Sequence, residues 1–268
     1  NHEIFNTKGS TSYVTPLGRR NFSQRHPDVK FKLGVANSYK KKINVNALEN
    51  RSELVFNNSY NNYNNYNSSY NEYNSSQRKQ AWKPGSRLCK DYAKYPAILK
   101  IGDLLFMHGG LRLELAKKYK GNRGIKVMNL YMFQYMHNAL RKDKERLDEF
   151  ERIFGDNKDP LKKGALYYKL YSKKIKEHDV KCEDLRETLK LMKCSKMIVA
   201  HVPQEKGIAH DCNEQVWKTN IAMSEAFGPR FTSKGRIPQV LEIINGTQFN
   251  VLVSEREIAN ARKAGKNW

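Results

Sequence analysis

Residues Ala97–Gly110 read AILKIGDLLFMHGG. Two apolar runs, Ala97–Ile101 and Leu104–Met107, flank Gly102-Asp103, and a glycine-containing pair between such runs marks a β-hairpin. The second run stops at His108-Gly109-Gly110, so a histidine stands where a core strand ends. The two glycines after it let backbone or ligand come close, and sheet-based sites are built at such strand exits. The pattern recurs downstream: the apolar stretch Lys196–Ala200 leads into His201 and then Val202-Pro203. Strand character also shows over Val216–Ile221. Near the end, Gln239–Ile244 and Phe249–Val253 flank Asn245-Gly246-Thr247, a second strong hairpin signal and a better reading of that triplet than a glycosylation site.

A helical block separates these strands. Apolar residues at Val127, Leu130, Tyr131, Met136, Leu140, Leu147, Phe150 and Phe154 predict a helix from Lys126 to about Phe154, stopped by Gly155-Asp156-Asn157. Further helices are expected over Lys163–Glu177 and Glu183–Lys193. Strands, helices, then strands again make the chain α/β or α+β.

Composition bounds the rest. With 49 Lys and Arg against 27 Asp and Glu in 268 residues, the formal net charge is +22 and the mean hydropathy −0.80, values suited to attracting anions. No run of about 18 apolar residues exists, which excludes a transmembrane helix and a membrane partner of that kind. The cysteines Cys89, Cys182, Cys194 and Cys212 show no CxxC pairing. That argues against a disulfide scaffold or zinc finger and favours a reducing, cytoplasmic setting. Asn57–Gln77 is almost wholly Asn, Tyr and Ser, and a tract without aliphatic residues cannot offset the entropy of ordering. It lies within a basic stretch that includes Lys40-Lys41-Lys42. The chain therefore divides into residues 1–18, a basic insertion with a low-complexity tract over 19–83, and a folded part over 84–268.

Of seven histidines, His26, His137, His178 and His210 sit among polar neighbours without a partner at ligand spacing and read as surface or structural. His2, His108 and His201 share a different context. Imidazoles held rigidly at strand exits suit Zn, Fe or Mn.

The sequence NHE at Asn1–Glu3, LFMHGGL at Leu105–Leu111 and IVAHVPQ at Ile198–Gln204 resembles, in this order, the later motifs of the calcineurin-like metallophosphoesterases. The branch it resembles is that of the Shewanella-like phosphoprotein phosphatases. Flanking residues extend the likeness at Glu3–Asn6, Val216–Lys218 and Val240–Ile243. The resemblance implies an α/β fold, the C-terminal part of a metallophosphoesterase β-sandwich flanked by helices, with the helical block and the low-complexity insertion added. It implies hydrolysis of a phosphomonoester, a phosphorylated serine/threonine protein above all, by water activated between two divalent metal ions (Mn, Fe or Zn). On that resemblance Asn1, His108 and His201 are metal ligands, His2 is the general acid, and Gly109-Gly110 keep the site open to phosphate.

Departures are also plain. The family's aspartate motifs, which precede Asn-His-Glu, are not in the 268 residues, and Gly102-Asp103 and Gly155-Asp156 do not continue as those motifs do. The expectation is a sequence that forms the later part of a longer phosphatase and is inactive by itself. Asn220-Ile221-Ala222 stands where relatives carry Asp-x-Gly, and Ala165–Lys169 (ALYYK) where they resemble Leu-Trp-x-Arg, leaving Lys169 as a point charge for phosphate. Two alternatives stand beside this: a pseudo-phosphatase scaffold without metals, and a basic protein binding nucleic acid nonspecifically, the latter without any recognisable nucleic-acid motif.

Overall fold

A computed structural model describes residues 2–10, 78–176, 179–223, 238–255, 258–259 and 263. Contacts divide the chain into two units, one of Asn1–Ser10 with Ala81–Trp268, the other Thr11–Gln80. Of the second unit only residues 78–80, which are helical, are described. Asn1, the Lys40–Lys42 run and the Asn57–Gln77 tract thus lie outside the described residues. Every described strand belongs to the first unit.

The first hairpin forms as its sequence dictates. Strands β1 (Ile98–Ile101) and β2 (Leu104–Met107) pair antiparallel around Gly102, whose φ of +59° suits glycine at the turn. Strand β3 (Lys196–Val199) adds parallel to β2, and β5 (Val216–Lys218) parallel to β3, while β4 (Ala209–Asp211) closes antiparallel on β5. The resulting order is β1-β2-β3-β5-β4, a mixed five-stranded sheet. The strand expected over Val216–Ile221 stops at Lys218, after which Thr219 still donates its backbone N–H to Val199 O at 2.9 Å. The second hairpin, β6 (Gln239–Ile244) with β7 (Gln248–Val253), turns through Asn245 and Gly246 at φ +52° and +73°, as the Asn-Gly pair predicts.

Register sorts the side chains onto two faces. Lys100 reaches the backbone carbonyls of Met192 and Lys193, so Ile98, Lys100, Leu105, Met107, Met197, Val199, Val216 and Lys218 face the helices. The opposite face carries Leu104, Ile198 and Trp217, and there Phe106, Ile208, Leu241, Ile243 and Phe249 pack on them. The Trp217 and Phe249 rings stack at 5.1 Å, fastening the second hairpin to the sheet. The fold is therefore mixed α/β, with helices on one face of the sheet and a β-ribbon on the other.

Besides the helical residues 78–81, 258–259 and 263, seven helical elements are described. They are α1 (His2–Thr7), α2 (Arg87–Tyr92), α3 (Leu113–Lys118), α4 (Gly121–Met136), α5 (Lys144–Phe154), a 3-10 turn (Pro160–Lys162) and α6 (Val180–Met192). Asn129 of α4 clamps the edge strand: its Oδ1 accepts from Ala97 N and Ile98 N, both at 3.0 Å, and its Nδ2 donates to Ile98 O at 2.7 Å. Between α3 and α5, the buried carboxylate of Glu149 accepts from Tyr119, Lys118 and Arg152. Burial acts to raise the Glu149 pKa, but the bonds from Lys118 and Tyr119 and the nearby cations outweigh it and hold the pKa below the usual glutamate range.

Two helix expectations are corrected. The helix read from Lys126 to Phe154 is two helices, α4 and α5, separated at residues 137–143. Asn138 adopts φ +63° and Asp143 caps α5 by accepting from Arg146 N at 3.0 Å, so turn chemistry prevails over apolar period there. The helix expected over Lys163–Glu177 does not form across the described residues 163–176. Its backbone is committed elsewhere: Gly164 N binds Gly155 O, Ala165 N binds Ile153 O, and Ala165 O accepts from the strand exit after β2. By contrast α6 forms as expected and starts earlier, at Val180, because Asp179 accepts from Lys181 N at 3.0 Å and caps it.

The cysteine reading is also corrected. Cys182 of α6 and Cys212, at the turn after β4, form a disulfide across 30 positions, while Cys89 and Cys194 are free thiols. No spacing rule reveals this pair, since only the tertiary fold brings the two together. It removes the cysteine-based argument for a reducing compartment. Among the described residues no helix is long and apolar enough to cross a membrane.

Candidate functional site

Parallel pairing of β2 with β3 puts their carboxyl ends side by side. The ladder continues one step past the strands, where Ala200 N donates to His108 O at 2.9 Å. His108 and His201, which are 93 positions apart, then meet: His108 Nε2 and His201 Nδ1 share a hydrogen bond of 3.0 Å, with ring centroids 4.9 Å apart. Both side chains are half-buried.

His201 is held in an unusual way. Its φ is +57°, and Val202 N closes on Ala200 O at 2.7 Å, a three-residue turn around the histidine. A left-handed histidine costs roughly 1–3 kcal/mol and persists only where its surroundings over-determine it, as at functional sites. One such constraint is Gln204, whose Nε2 donates to Val202 O at 2.7 Å and to Ser172 O at 2.9 Å.

The segment Gly164–Lys176 passes over the His108 exit as a strap. Gly109 N and Gly110 N both donate to Ala165 O at 3.0 Å, and Ser172 Oγ donates to Gly109 O at 3.1 Å. A side chain on Gly109 would place its Cβ 2.6 Å from that Ala165 oxygen. Thus the glycines make room for the strap, and their backbone N–H groups are already engaged. This corrects the expectation that Gly109-Gly110 leave the site open for phosphate. Tyr167, Tyr168 and Tyr171 of the strap are buried, and Tyr168 meets Tyr171 edge-on at 5.2 Å. Burial, followed by the nearby Asp184 charge, pushes the Tyr168 phenol up to about 12. Lys169, expected to draw phosphate, is exposed on the strap.

Tyr167 joins the strap to two other parts of the site. Its ring lies edge-on to His201 with centroids 6.3 Å apart, and edge-on to Phe5 of α1 at 5.4 Å. Helix α1 is anchored further by Thr7 Oγ1 with Tyr135 Oη at 3.1 Å and by the Lys8–Glu151 ion pair at 2.7 Å. His2 therefore opens a helix that packs through Phe5 and Tyr167 next to the histidine pair.

The strap's far end is tied to the sheet. Asp211 accepts from Ile175 N at 2.7 Å and forms an ion pair with Lys218, whose side chain is only 2 % exposed on the helix-facing side of β5. Asp211 is in none of the motifs read from sequence, and Lys218 enters them only as the end of the Val216–Lys218 flank; a lysine within an apolar strand is the signal that finds the pair. Neither His137 nor His210 joins the pair: His137 ends α4 stacked on Phe133 at 4.0 Å, and His210 lies 4.8 Å from the Trp217 ring. His26 and His178 lie outside the described residues.

The pair brings two imidazole nitrogens together, and imidazole is a ligand type that would suit a divalent cation. Among the described residues no group of three or more His, Cys, Asp or Glu converges to complete a ligand set.

No protein-family model matches the chain. An uncharacterized protein of Acanthamoeba polyphaga mimivirus is 26% identical over 272 residues, covering 96% of this chain and 90% of that protein. Among solved structures, a cold-active protein tyrosine phosphatase is similar with a TM-score of 0.44 and 14% identity, covering 70% of this chain and 52% of the other. A cold-active protein-tyrosine phosphatase from a psychrophilic Shewanella species gives 0.42 and 17%, over 69% and 48% of the two chains. The chain spans about half the length of these solved phosphatases.

Proposed function

We propose that the chain carries part of the metal site of a phosphomonoesterase, acting on phosphorylated serine/threonine protein. The observation that supports this reading is the His108–His201 pair: two histidines far apart in sequence, presented at neighbouring strand exits with donor nitrogens 3.0 Å apart. His108 and His201 would hold a divalent ion (Mn, Fe or Zn) through imidazole nitrogen, and Asn1 would supply an amide oxygen. Such an ion, when bound, polarises a phosphoryl oxygen and lowers the pKa of bound water. The left-handed turn at His201 presents the residue beside His108, and the hydrogen bond between their rings would give way to the ion. His2, at the start of α1, donates a proton to the departing alkoxide, a role for which imidazole's near-neutral pKa is suited. A second ion needs carboxylates that the aspartate motifs supply in the resembling family.

The test is metal content and turnover of the complete gene product. Elemental analysis finds bound Mn, Fe or Zn, and p-nitrophenyl phosphate is hydrolysed with added Mn²⁺. His108→Ala and His201→Ala each abolish turnover and strip the metal. His2→Asn slows a phosphoserine peptide more than p-nitrophenyl phosphate, because a nitrophenolate departs without needing a proton. Unchanged turnover and metal content in both histidine-to-alanine variants refute the assignment.

A second reading is a scaffold without metals, in which the His108–His201 hydrogen bond of 3.0 Å is itself the role of the pair. Absence of bound metal and of turnover in the unaltered gene product decides for it.

A further inference from the structure

The helix face of the sheet holds a chain of contacts that reaches from the disulfide to the His108 strand exit. It starts at Cys182–Cys212, which ties α6 to the turn between β4 and β5. The neighbouring Asp211 pairs with buried Lys218 and accepts from Ile175 N at 2.7 Å, which fixes the end of the strap. Three residues earlier, Ser172 donates its hydroxyl to Gly109 O, and Ser172 O receives Gln204 Nε2. Gly109 directly follows His108, and Gln204 lies three positions after His201.

The crosslinked turn is also a strained one. Cys212, Asn213 and Glu214 have φ of +54°, +53° and +60°, three successive left-handed residues without a glycine. L-residues rarely form such runs, and they persist only where the surroundings impose them. The disulfide is the covalent constraint at that turn.

From these contacts we propose that Cys182–Cys212 is a thiol-reducible latch: in its oxidised form it holds Gly164–Lys176 against the exits of β2 and β3, and reduction by a dithiol releases that strap. The latch does not depend on the reaction proposed above. Cys182 is buried and Cys212 is partly exposed, so the attack falls on Cys212 Sγ. One thiolate of the dithiol forms a mixed disulfide with Cys212, and Cys182 leaves as a thiolate and takes up a proton. The second thiol of the reagent then attacks its own bound sulfur and frees Cys212. In sum the protein disulfide gains two electrons and two protons, and the dithiol becomes a cyclic disulfide. Once the turn can leave its left-handed conformation, Asp211 loses its fixed position and with it the hold on Ile175.

Amide hydrogen exchange with and without dithiothreitol tests the latch. Reduction should speed exchange at Ile175, Gly109 and Gly110 by about tenfold or more, while amides within α4 stay unchanged, the signature of a local opening. The double variant Cys182→Ser/Cys212→Ser should show the fast strap exchange with or without reductant. If strap exchange in the unaltered protein is insensitive to dithiothreitol, the proposal fails. It fails equally if α4 amides accelerate with the strap, since the disulfide then supports the whole fold, or if the double variant still responds to the reagent.

Discussion

Lys218→Met tests how the site's scaffold is held. Methionine keeps most of the buried aliphatic stem and removes the ammonium, leaving Asp211 with the Ile175 N–H and without its cation. Breaking a buried pair on one side costs about 3–5 kcal/mol, because the remaining charge is desolvated and uncompensated. Asp211 keeps some contact with water, its side chain being 15% exposed, which favours the lower end, about 3 kcal/mol. That is a large share of the roughly 5–15 kcal/mol that stabilises a domain. Asp211→Asn still offers Ile175 an acceptor but strands Lys218, whose side chain is 2% exposed, and should cost at least as much. The double variant should recover part of the loss, with a coupling energy of about 1 kcal/mol or more. The assay is urea unfolding with linear extrapolation, all four proteins kept disulfide-bonded. A buried pair is little screened, so the deficit should persist in about 0.5 M salt. Additive single costs, each under about 1 kcal/mol, would show that the pair behaves like a surface contact and does not hold the strap.

Two further outcomes concern the strap's approach to Gly109 and the cluster around Glu149. Gly109→Ala forces a methyl against the Ala165 carbonyl, 2.6 Å away, and this overpacking should lower stability by about 1–3 kcal/mol in thermal or urea unfolding; a neutral result contradicts the close approach of the strap. Glu149 has a folded pKa below its ordinary value, so its contribution is fully present above the ordinary glutamate range, near 4.3, and is lost as pH falls through the folded value. Glu149→Gln should therefore flatten the acid side of the stability–pH curve, and an unaltered curve argues against the Lys118–Glu149–Arg152 cluster.

Both hairpins are legible in the residues because their determinants are local. Gly102-Asp103 and Asn245-Gly246 specify turns through backbone dihedrals that few residues tolerate. His108 and His201 can be singled out because strand-then-histidine is a pattern within about six residues. Their meeting is not legible in any local pattern and follows from the sequence only as an implication of the resemblance, since it depends on β2 pairing in parallel with β3 across the whole helical block. The strap escapes for a related reason. Residues 164–175 have helical apolar spacing and two local turns, but the amides of Ala165 and Ile175 and the carbonyl of Ala165 bond to Ile153, Asp211 and the Gly109-Gly110 amides, partners no local window contains. The disulfide is the extreme case, because cysteine spacing carries no record of which strand turn will lie beside α6.

The 93-position gap between His108 and His201 has a consequence for the order of folding. Closing a loop of that length costs about 4 kcal/mol of chain entropy before any contact repays it. Helices α4, α5 and α6 lie within the loop and can form from neighbouring residues, whereas the histidine pair needs β2–β3 registered and the strap seated. Refolding followed by far-UV circular dichroism should therefore run ahead of any probe attached to the histidines. Kinetically, the pair is a late marker: its appearance reports that the longest-range pairing in the sheet has been completed.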